Sequence, residues 1–243
     1  MTIRRASACN RATWLRAITL TVQKENEHWR ATKKQGGNTR RPFVATFIIV
    51  TAGFPPLPWP WYFVIPLLVY SGIVLFVGPL RRSLPELSFG FLGGMPLVCA
   101  IVLAVTSAGI LVAFQALFHP DAKDLAAKVP VDWFRNLLLA GVCFSVVNAV
   151  LEELIFRGVL WEVVAVEWNN ATALGVTSML FGVGHLDGYP PGPIGAVMAG
   201  VYGACLGMLR WWTGGLALAT ACHVCADTTI FCILVASGAF DGR

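Results

Sequence analysis

The sequence predicts an all-α fold, a polytopic transmembrane helical bundle of about six or seven spans. Hydrophobic residues make up 56% of the chain and charged residues 13%, whereas soluble domains carry about 25% charged residues. Several apolar runs also approach 20 residues, the length that a helix needs to cross a bilayer. These runs are continuous rather than alternating, so a β-barrel is not favoured.

Three regions are expected along the chain. Residues 1–41 form a basic tail, which holds ten of the eighteen Lys and Arg and has no apolar core of the signal-peptide kind. Residues 42–132 form the first spans, and residues 133–238 form a transmembrane core that carries buried charged residues. The net charge of +5 comes from the tail, so it does not indicate a nucleic-acid partner.

Each expected span is an apolar segment bounded by polar residues, loop residues or Pro. The short first segment is included because the basic tail and Arg81-Arg82 both favour the cytoplasmic side, which requires an even number of crossings between them. The chain is therefore predicted to be a multi-pass protein of the plasma or inner membrane with a cytoplasmic N-terminus. The predicted spans are Pro42–Leu57, Trp61–Leu80, Gly93–Phe118, Trp133–Val166, Ala171–Leu186, Ile194–Trp212 and Leu216–Gly238.

Two adjacent glutamates and an arginine interrupt the longest apolar segment. A charged side chain near the bilayer centre costs about 2.5–3.5 kcal/mol on insertion scales. Glu153 and Arg157 are four residues apart and can pair on one helix face. Glu152 points about 100° away, with Asn148 one turn before it. A structural ion pair explains Glu153 and Arg157 but leaves Glu152 unexplained, so a functional role is favoured.

Two histidines and an aspartate lie in the following spans. His185 ends the segment that begins at Ser178, and by itself it is an ordinary interfacial histidine. His223 and Asp227 lie four apart inside an apolar run, where they either bridge helices or belong to the same polar site as the glutamates. Gly182 and Gly184, next to His185, would let another helix or a substrate backbone approach closely.

Together these side chains could support hydrolysis by an activated water, with a carboxylate or histidine as base and an oxyanion stabiliser. They could also bind zinc. The sequence lacks HExxH and G-x-S-x-G, so it does not indicate the common helical zinc protease or a serine hydrolase. Cys222 and Cys225 flank His223, but they are better interpreted as thiols in an apolar segment than as metal ligands.

Three motifs occur in order: EExxxR at Glu152–Arg157, FxxxH at Phe181–His185 and HxxxD at His223–Asp227. They resemble the CAAX-protease and bacteriocin-processing family (CPBP or Abi), which includes the type II CAAX prenyl endopeptidases. The resemblance covers about Trp133–Ser237. It implies an intramembrane endopeptidase with a helical fold and a polar cavity that opens at the membrane surface.

The resemblance also implies roles for the motif residues. Glu152 and His185 would activate the attacking water, Glu153 and Arg157 would shape the site, and His223 with Asp227 would stabilise the oxyanion. No cofactor is expected, because Arg157 would repel a metal ion. In a metal-dependent version, a divalent ion such as zinc would be bound by Glu152, His185, His223 and Asp227.

The last motif position is a departure, because the family often has Asn there and this chain has Asp227. An ionised Asp cannot donate to an oxyanion. Asp227 is therefore expected to be protonated, to keep His223 cationic, or to bind a metal. Asp227→Asn distinguishes these roles.

The expected partners are the lipid bilayer and a peptide or protein substrate with a membrane-proximal tail, which can be lipidated. A prenylated C-terminus, a bacteriocin leader and a protein-sorting tail all fit. Two other classes compete with the protease hypothesis. One is a non-catalytic immunity or scaffold protein of the same family, and the other is a proton-coupled transporter that uses the same groups as a relay.

Overall fold

The architecture comes from a computed structural model that describes residues 59–76, 88–121, 123–127, 129, 131 and 136–240. Within those residues the regular secondary structure is entirely helical. The predicted all-α class is therefore confirmed. The basic tail, the short segment Pro42–Leu57 and Arg81-Arg82 lie outside the described residues.

Eight α-helices and one π-helical segment are described. They are α1 (Trp61–Phe76), α2 (Gly94–Phe118), α3 (Lys123–Ala126), α4 (Leu137–Glu153), the π segment (Leu154–Leu160), α5 (Trp161–Glu167), α6 (Asn170–Gly184), α7 (Gly192–Thr213) and α8 (Ala217–Ala236).

Four helical segments are long and apolar enough to cross a membrane: Gly94–Phe118, Leu137–Glu167, Gly192–Thr213 and Ala217–Ala236. They match four of the predicted spans to within a few residues. The structure describes 16 residues of α1, and α6 has 15 residues, which is short for the ~20 that a span needs. The predicted count of six or seven spans is therefore not confirmed.

The long span that carries the glutamates is not a uniform α-helix. Its 31 residues consist of α4, the π segment and α5, and the π segment begins immediately after Glu153. Side-chain periodicity in the sequence does not show this change of winding. π-helical turns are rare and are frequent at functional sites.

Burial separates peripheral helices from central ones. Only 11% of the most apolar stretch of α2 is buried, compared with 50% for the glutamate-bearing span and for α8. Outward-facing residues of α2 such as Ile101, Val105 and Val112 are exposed, as expected for a surface that faces lipid. The polar residues of the later helices therefore lie in the interior of the bundle.

Close helix contacts in the interior depend on glycine. α6 packs along α7, where a Cβ on Gly182 would lie 2.6 Å from the carbonyl oxygen of Ala196. α8 packs against α4, where a Cβ on Gly141 would lie 2.2 Å from the ring of Phe231. The predicted close approach at Gly182 is confirmed, whereas Gly184 has no neighbouring atom within 4 Å of such a Cβ.

Candidate active site

A buried ion pair forms the base of the candidate site. Arg157 Nη1 donates to Glu153 Oε1 at 2.7 Å, and both side chains are almost fully buried. The same carboxylate oxygen lies 2.8 Å from His223 Nδ1. Because a carboxylate accepts hydrogen bonds, this contact assigns a proton to Nδ1 and directs Nε2 of the ring away from Glu153. The predicted Glu153–Arg157 pairing is confirmed.

Arg157 is held by neighbours on other helices. Its Nη2 donates to the carbonyl oxygen of Gly203 on α7 at 2.9 Å, and its guanidinium lies 4.4 Å from the centre of the Phe181 ring. Arg210 donates from Nε to the backbone carbonyl of Arg157 at 2.8 Å and pairs with Glu162. These contacts connect the π segment to α6 and α7.

Glu152 has one bound oxygen and one free oxygen. Its Oε1 accepts a hydrogen bond of 3.1 Å from Asn148 Nδ2. Its Oε2 is buried and has no hydrogen-bond partner among the described residues. That oxygen lies 3.7 Å from His185 Nε2 and 3.6 Å from His223 Nε2. Two imidazoles therefore converge on the free oxygen of Glu152 without binding it directly.

His185 lies immediately after α6, where Phe181 precedes it by one turn. Its Nδ1 is 2.7 Å from the carbonyl oxygen of Phe181, and the two rings lie 4.3 Å apart. A carbonyl only accepts, so Nδ1 carries the proton and Nε2 of the neutral ring presents a lone pair towards Glu152. The FxxxH spacing thus orients His185 through both backbone and ring contacts.

Asn148 links two of the acidic side chains. Its Nδ2 donates at 3.1 Å to Glu152 and at 3.1 Å to Oδ2 of Asp227. Its Oδ1 accepts from the indole Nε1 of Trp59 at 3.2 Å. The sequence predicted no role for Asn148 or Trp59. The available signal was an amide residue four positions before Glu152 in an apolar helix.

Asp227 contacts His223 less closely than the sequence spacing suggested. Its Oδ1 lies 3.7 Å from His223 Nε2, beyond hydrogen-bond length, whereas Glu153 binds the other ring nitrogen. The physical reason is that the HxxxD spacing brings the two side chains to one face of α8, but the partner that binds the ring comes from α4. His223 therefore lies among three carboxyl groups.

All six residues predicted from the motifs lie in one connected cluster: Glu152, Glu153, Arg157, His185, His223 and Asp227. They come from α4, the π segment, the end of α6 and α8. Among the described residues, no three His, Cys, Asp or Glu side chains are arranged to hold a metal ion. Cys222 is buried and donates to Ala100, while Cys225 is exposed.

Comparison with known families matches the segment that contains these six residues. Residues 134–229 match the family model described as type II CAAX prenyl endopeptidase Rce1-like, so the resemblance predicted from the three motifs is confirmed over this segment. No curated protein and no solved structure matches the chain. The family is one of membrane proteases, which together with the four apolar helices indicates an integral membrane protein of the hydrolase class with peptide substrates. The wider CPBP or Abi grouping stays a prediction.

Proposed function

We propose that this protein is an intramembrane endopeptidase that hydrolyses peptide bonds near the membrane surface. The observation that carries the proposal is the free, buried Oε2 of Glu152 with His185 Nε2 and His223 Nε2 at 3.7 and 3.6 Å. Glu152 is the base, His185 a hydrogen-bond acceptor and cationic His223 a hydrogen-bond donor. The three groups surround one position where a water can react, which is the combination that water-based acyl hydrolysis requires.

Glu152 and His185 activate the water. A water molecule at hydrogen-bond distance from both can donate one hydrogen to Glu152 Oε2 and the other to the lone pair of His185 Nε2. This orients an oxygen lone pair of the water for attack on the scissile carbonyl. Glu152 takes a proton as the C–O bond forms, because the water becomes acidic in the transition state and Oε2 already accepts one of its hydrogens.

His223 stabilises the oxyanion in this mechanism. Its Nδ1 donates to Glu153, so Nε2 carries a hydrogen only when the ring is an imidazolium. Glu152, Glu153 and Asp227 surround the ring, and Arg157 balances one of the three carboxylates. Asp227 therefore favours the cationic form of His223, and the Nε2–H donates to the oxyanion. The tetrahedral intermediate collapses as Glu152 returns its proton to the leaving amine.

Exposure supports access from the His185 side. The side chain of His185 is 23% exposed, whereas those of Glu152, His223 and Asp227 are each 8% exposed or less. His185 follows the short helix α6 and precedes a Gly- and Pro-rich connection to α7. A peptide tail at the membrane surface can therefore reach the site at this end.

The proposed substrate is a membrane-proximal tail, and a prenylated CAAX-type C-terminus is the first to test because of the family match. Leader and sorting-signal peptides are the next candidates. We place the enzyme in the plasma or inner membrane with its basic N-terminal tail in the cytoplasm, since Lys and Arg concentrate on the cytoplasmic side.

The metal-dependent version of the mechanism would use Glu152, His185, His223 and Asp227 as ligands. The proposed steps use none, because no three His, Cys, Asp or Glu side chains among the described residues are arranged to hold a metal ion. Chelators test this choice.

The proposal predicts that Glu152→Gln abolishes most of the peptide cleavage. Removal of a general base lowers kcat by about 10²–10⁴-fold, and glutamine keeps the size and the hydrogen bond from Asn148. The measurement is cleavage of quenched prenylated CAAX, double-glycine leader and sorting-tail peptides by the purified protein. Each peptide is incubated with and without EDTA or 1,10-phenanthroline.

The matched control is Glu167→Gln, the same substitution at the end of the same span, which should leave kcat unchanged. Cleavage that resists chelators and disappears in Glu152→Gln supports the proposal. Chelator-sensitive cleavage that zinc restores assigns the four polar residues to a metal instead. Equal cleavage by wild type and Glu152→Gln overturns the assignment of the base. No cleavage of any peptide by the wild type favours the immunity or scaffold function.

A further inference from the structure

We infer that Asn148, oriented by Trp59, is a positioning residue that holds the base Glu152 in its reactive orientation. The inference rests on the proposed function and adds two residues that the motifs do not include. One of them, Trp59, precedes α1 and lies outside the segment that matches the family model, residues 134–229. The first part of the chain therefore contributes to the site as well as to the membrane-embedded structure.

The indole of Trp59 determines which way the Asn148 amide faces. An indole N–H can only donate, so the atom that lies 3.2 Å from it must be the amide oxygen of Asn148. The amide nitrogen then faces the two carboxyl groups. Trp59 is itself buried and packs against Phe144 one turn before Asn148, with ring centres 5.5 Å apart.

The amide nitrogen separates two acidic side chains that would otherwise face each other. It has two hydrogens, and they serve Glu152 Oε1 and Asp227 Oδ2, each at 3.1 Å. A buried carboxylate without a donor is costly, and two of them side by side repel each other. The amide therefore satisfies both groups and keeps α4 and α8 in register at the site.

The consequence for catalysis is the orientation of Glu152. With Oε1 held by Asn148, the carboxylate can rotate only by breaking that bond, and Oε2 stays directed between His185 and His223. Without the amide, Glu152 can turn towards either histidine and occupy the position of the attacking water. Asn148 contacts the base and no reacting atom, so it is a positioning residue.

The inference predicts a loss of kcat with little change in KM when the chain of hydrogen bonds is broken. Trp59→Phe keeps the ring and removes the donor, and we expect kcat to fall about 3- to 10-fold. Asn148→Leu removes the acceptor and both donors, and we expect a fall of about 100-fold. Trp59→Phe should have no further effect in the Asn148→Leu background, because the indole then has nothing to orient.

The matched controls are Trp61→Phe on the exposed side of α1 and Ser145→Ala, whose hydroxyl has no hydrogen-bond partner among the described residues. Both should retain wild-type kcat. If Asn148→Leu does not fold, the kcat of Trp59→Phe alone tests the inference. The inference is overturned if Trp59→Phe has wild-type kcat. It is also overturned if the fold decreases in kcat of Trp59→Phe and Asn148→Leu multiply in the double variant.

A second measurement does not depend on activity and so separates this inference from the proposed function. In protein with ¹⁵N-labelled indoles, the Trp59 signal is identified as the one of nine that Trp59→Phe removes. It should move upfield in Asn148→Leu, because the indole loses its acceptor, and stay in place in Ser145→Ala. An unmoved signal in Asn148→Leu contradicts the contact itself, whether or not the wild-type protein cleaves any peptide.

Discussion

At the scale of single residues, two neighbouring glutamates have different surroundings and therefore different uses. Glu153 binds Arg157 and His223 and is almost fully buried. Glu152 binds a neutral amide. Each glutamate keeps one oxygen without a hydrogen-bond partner among the described residues, and that of Glu152 lies within 3.7 Å of His185 Nε2 and His223 Nε2. A carboxylate neutralised by a guanidinium is a poor base, because the cation stabilises its charged form. The pair thus divides into a supporting group and a reactive group.

The role of Asp227 is testable by Asp227→Asn. The substitution keeps an oxygen for Asn148 and removes one negative charge near His223, so we expect kcat to fall about tenfold through weaker oxyanion stabilisation. Asp227→Leu should be worse, because it also leaves the Asn148 amide without one of its acceptors. The measurement is kcat for a cleaved peptide. Full activity of Asp227→Asn would show that the negative charge is not required.

At the scale of helices, the site depends on the span that carries both glutamates and on the glycine-lined contacts around it. The π segment follows Glu153 directly, and its Arg157 side chain reaches across to α7, where Gly203 supplies a carbonyl. A Cβ at Gly203 would lie 3.0 Å from Arg157 Nη2 and 3.1 Å from the ring of Phe181. A side chain at Gly203 would therefore displace Arg157 or Phe181 by a few tenths of an ångström.

We expect Gly203→Ala to lower kcat about tenfold, because a displaced guanidinium weakens a charge-assisted hydrogen bond and shifts Glu153. The matched substitution is Gly175→Ala on α6, where a Cβ has no neighbouring atom within 4 Å. That variant should keep its activity and gain about 0.5–1 kcal/mol of helix stability. Kinetics and thermal unfolding in detergent measure both effects. Equal behaviour of the two variants would argue against a steric role for Gly203.

At the scale of the whole molecule, polar groups are concentrated inside a bundle whose periphery is apolar. α2 is the least buried of the four candidate spans, and its exposed face is formed by large aliphatic side chains. An exposed apolar surface of this extent is unfavourable in water and favourable in lipid. The surface therefore assigns α2 to the lipid-facing side of the bundle.

Val105 tests this assignment, because it is near the middle of α2 and 69% exposed. Val105→Arg should impair membrane integration by about 2.5–3.5 kcal/mol, the cost of a charge at the centre of a span. The readout is the fraction of protein that resists alkaline extraction from membranes, with Val105→Leu as the control. Normal integration of the arginine variant would mean that this face of α2 contacts water or another polar surface.

The sequence by itself determined the helical class, four candidate membrane spans and the residues of the polar cluster. These properties are local: apolar length decides whether a helix can cross the bilayer, and a four-residue spacing places Glu153 beside Arg157 on any helix. Charged residues in apolar runs are also costly enough to stand out individually. For these reasons the three motifs identified the six side chains without knowledge of their arrangement.

Only the tertiary structure decided how those side chains meet. His223 binds Glu153, which is 70 positions away in the sequence, rather than Asp227, which is four positions away. The chain changes from α- to π-helical winding after Glu153. Trp59 binds Asn148, which is 89 positions away. Such contacts depend on how helices far apart in the chain pack together, and helical spacing carries no information about that packing. The free oxygen of Glu152 is defined by these distant contacts, so the direction in which the base points is a property of the folded bundle.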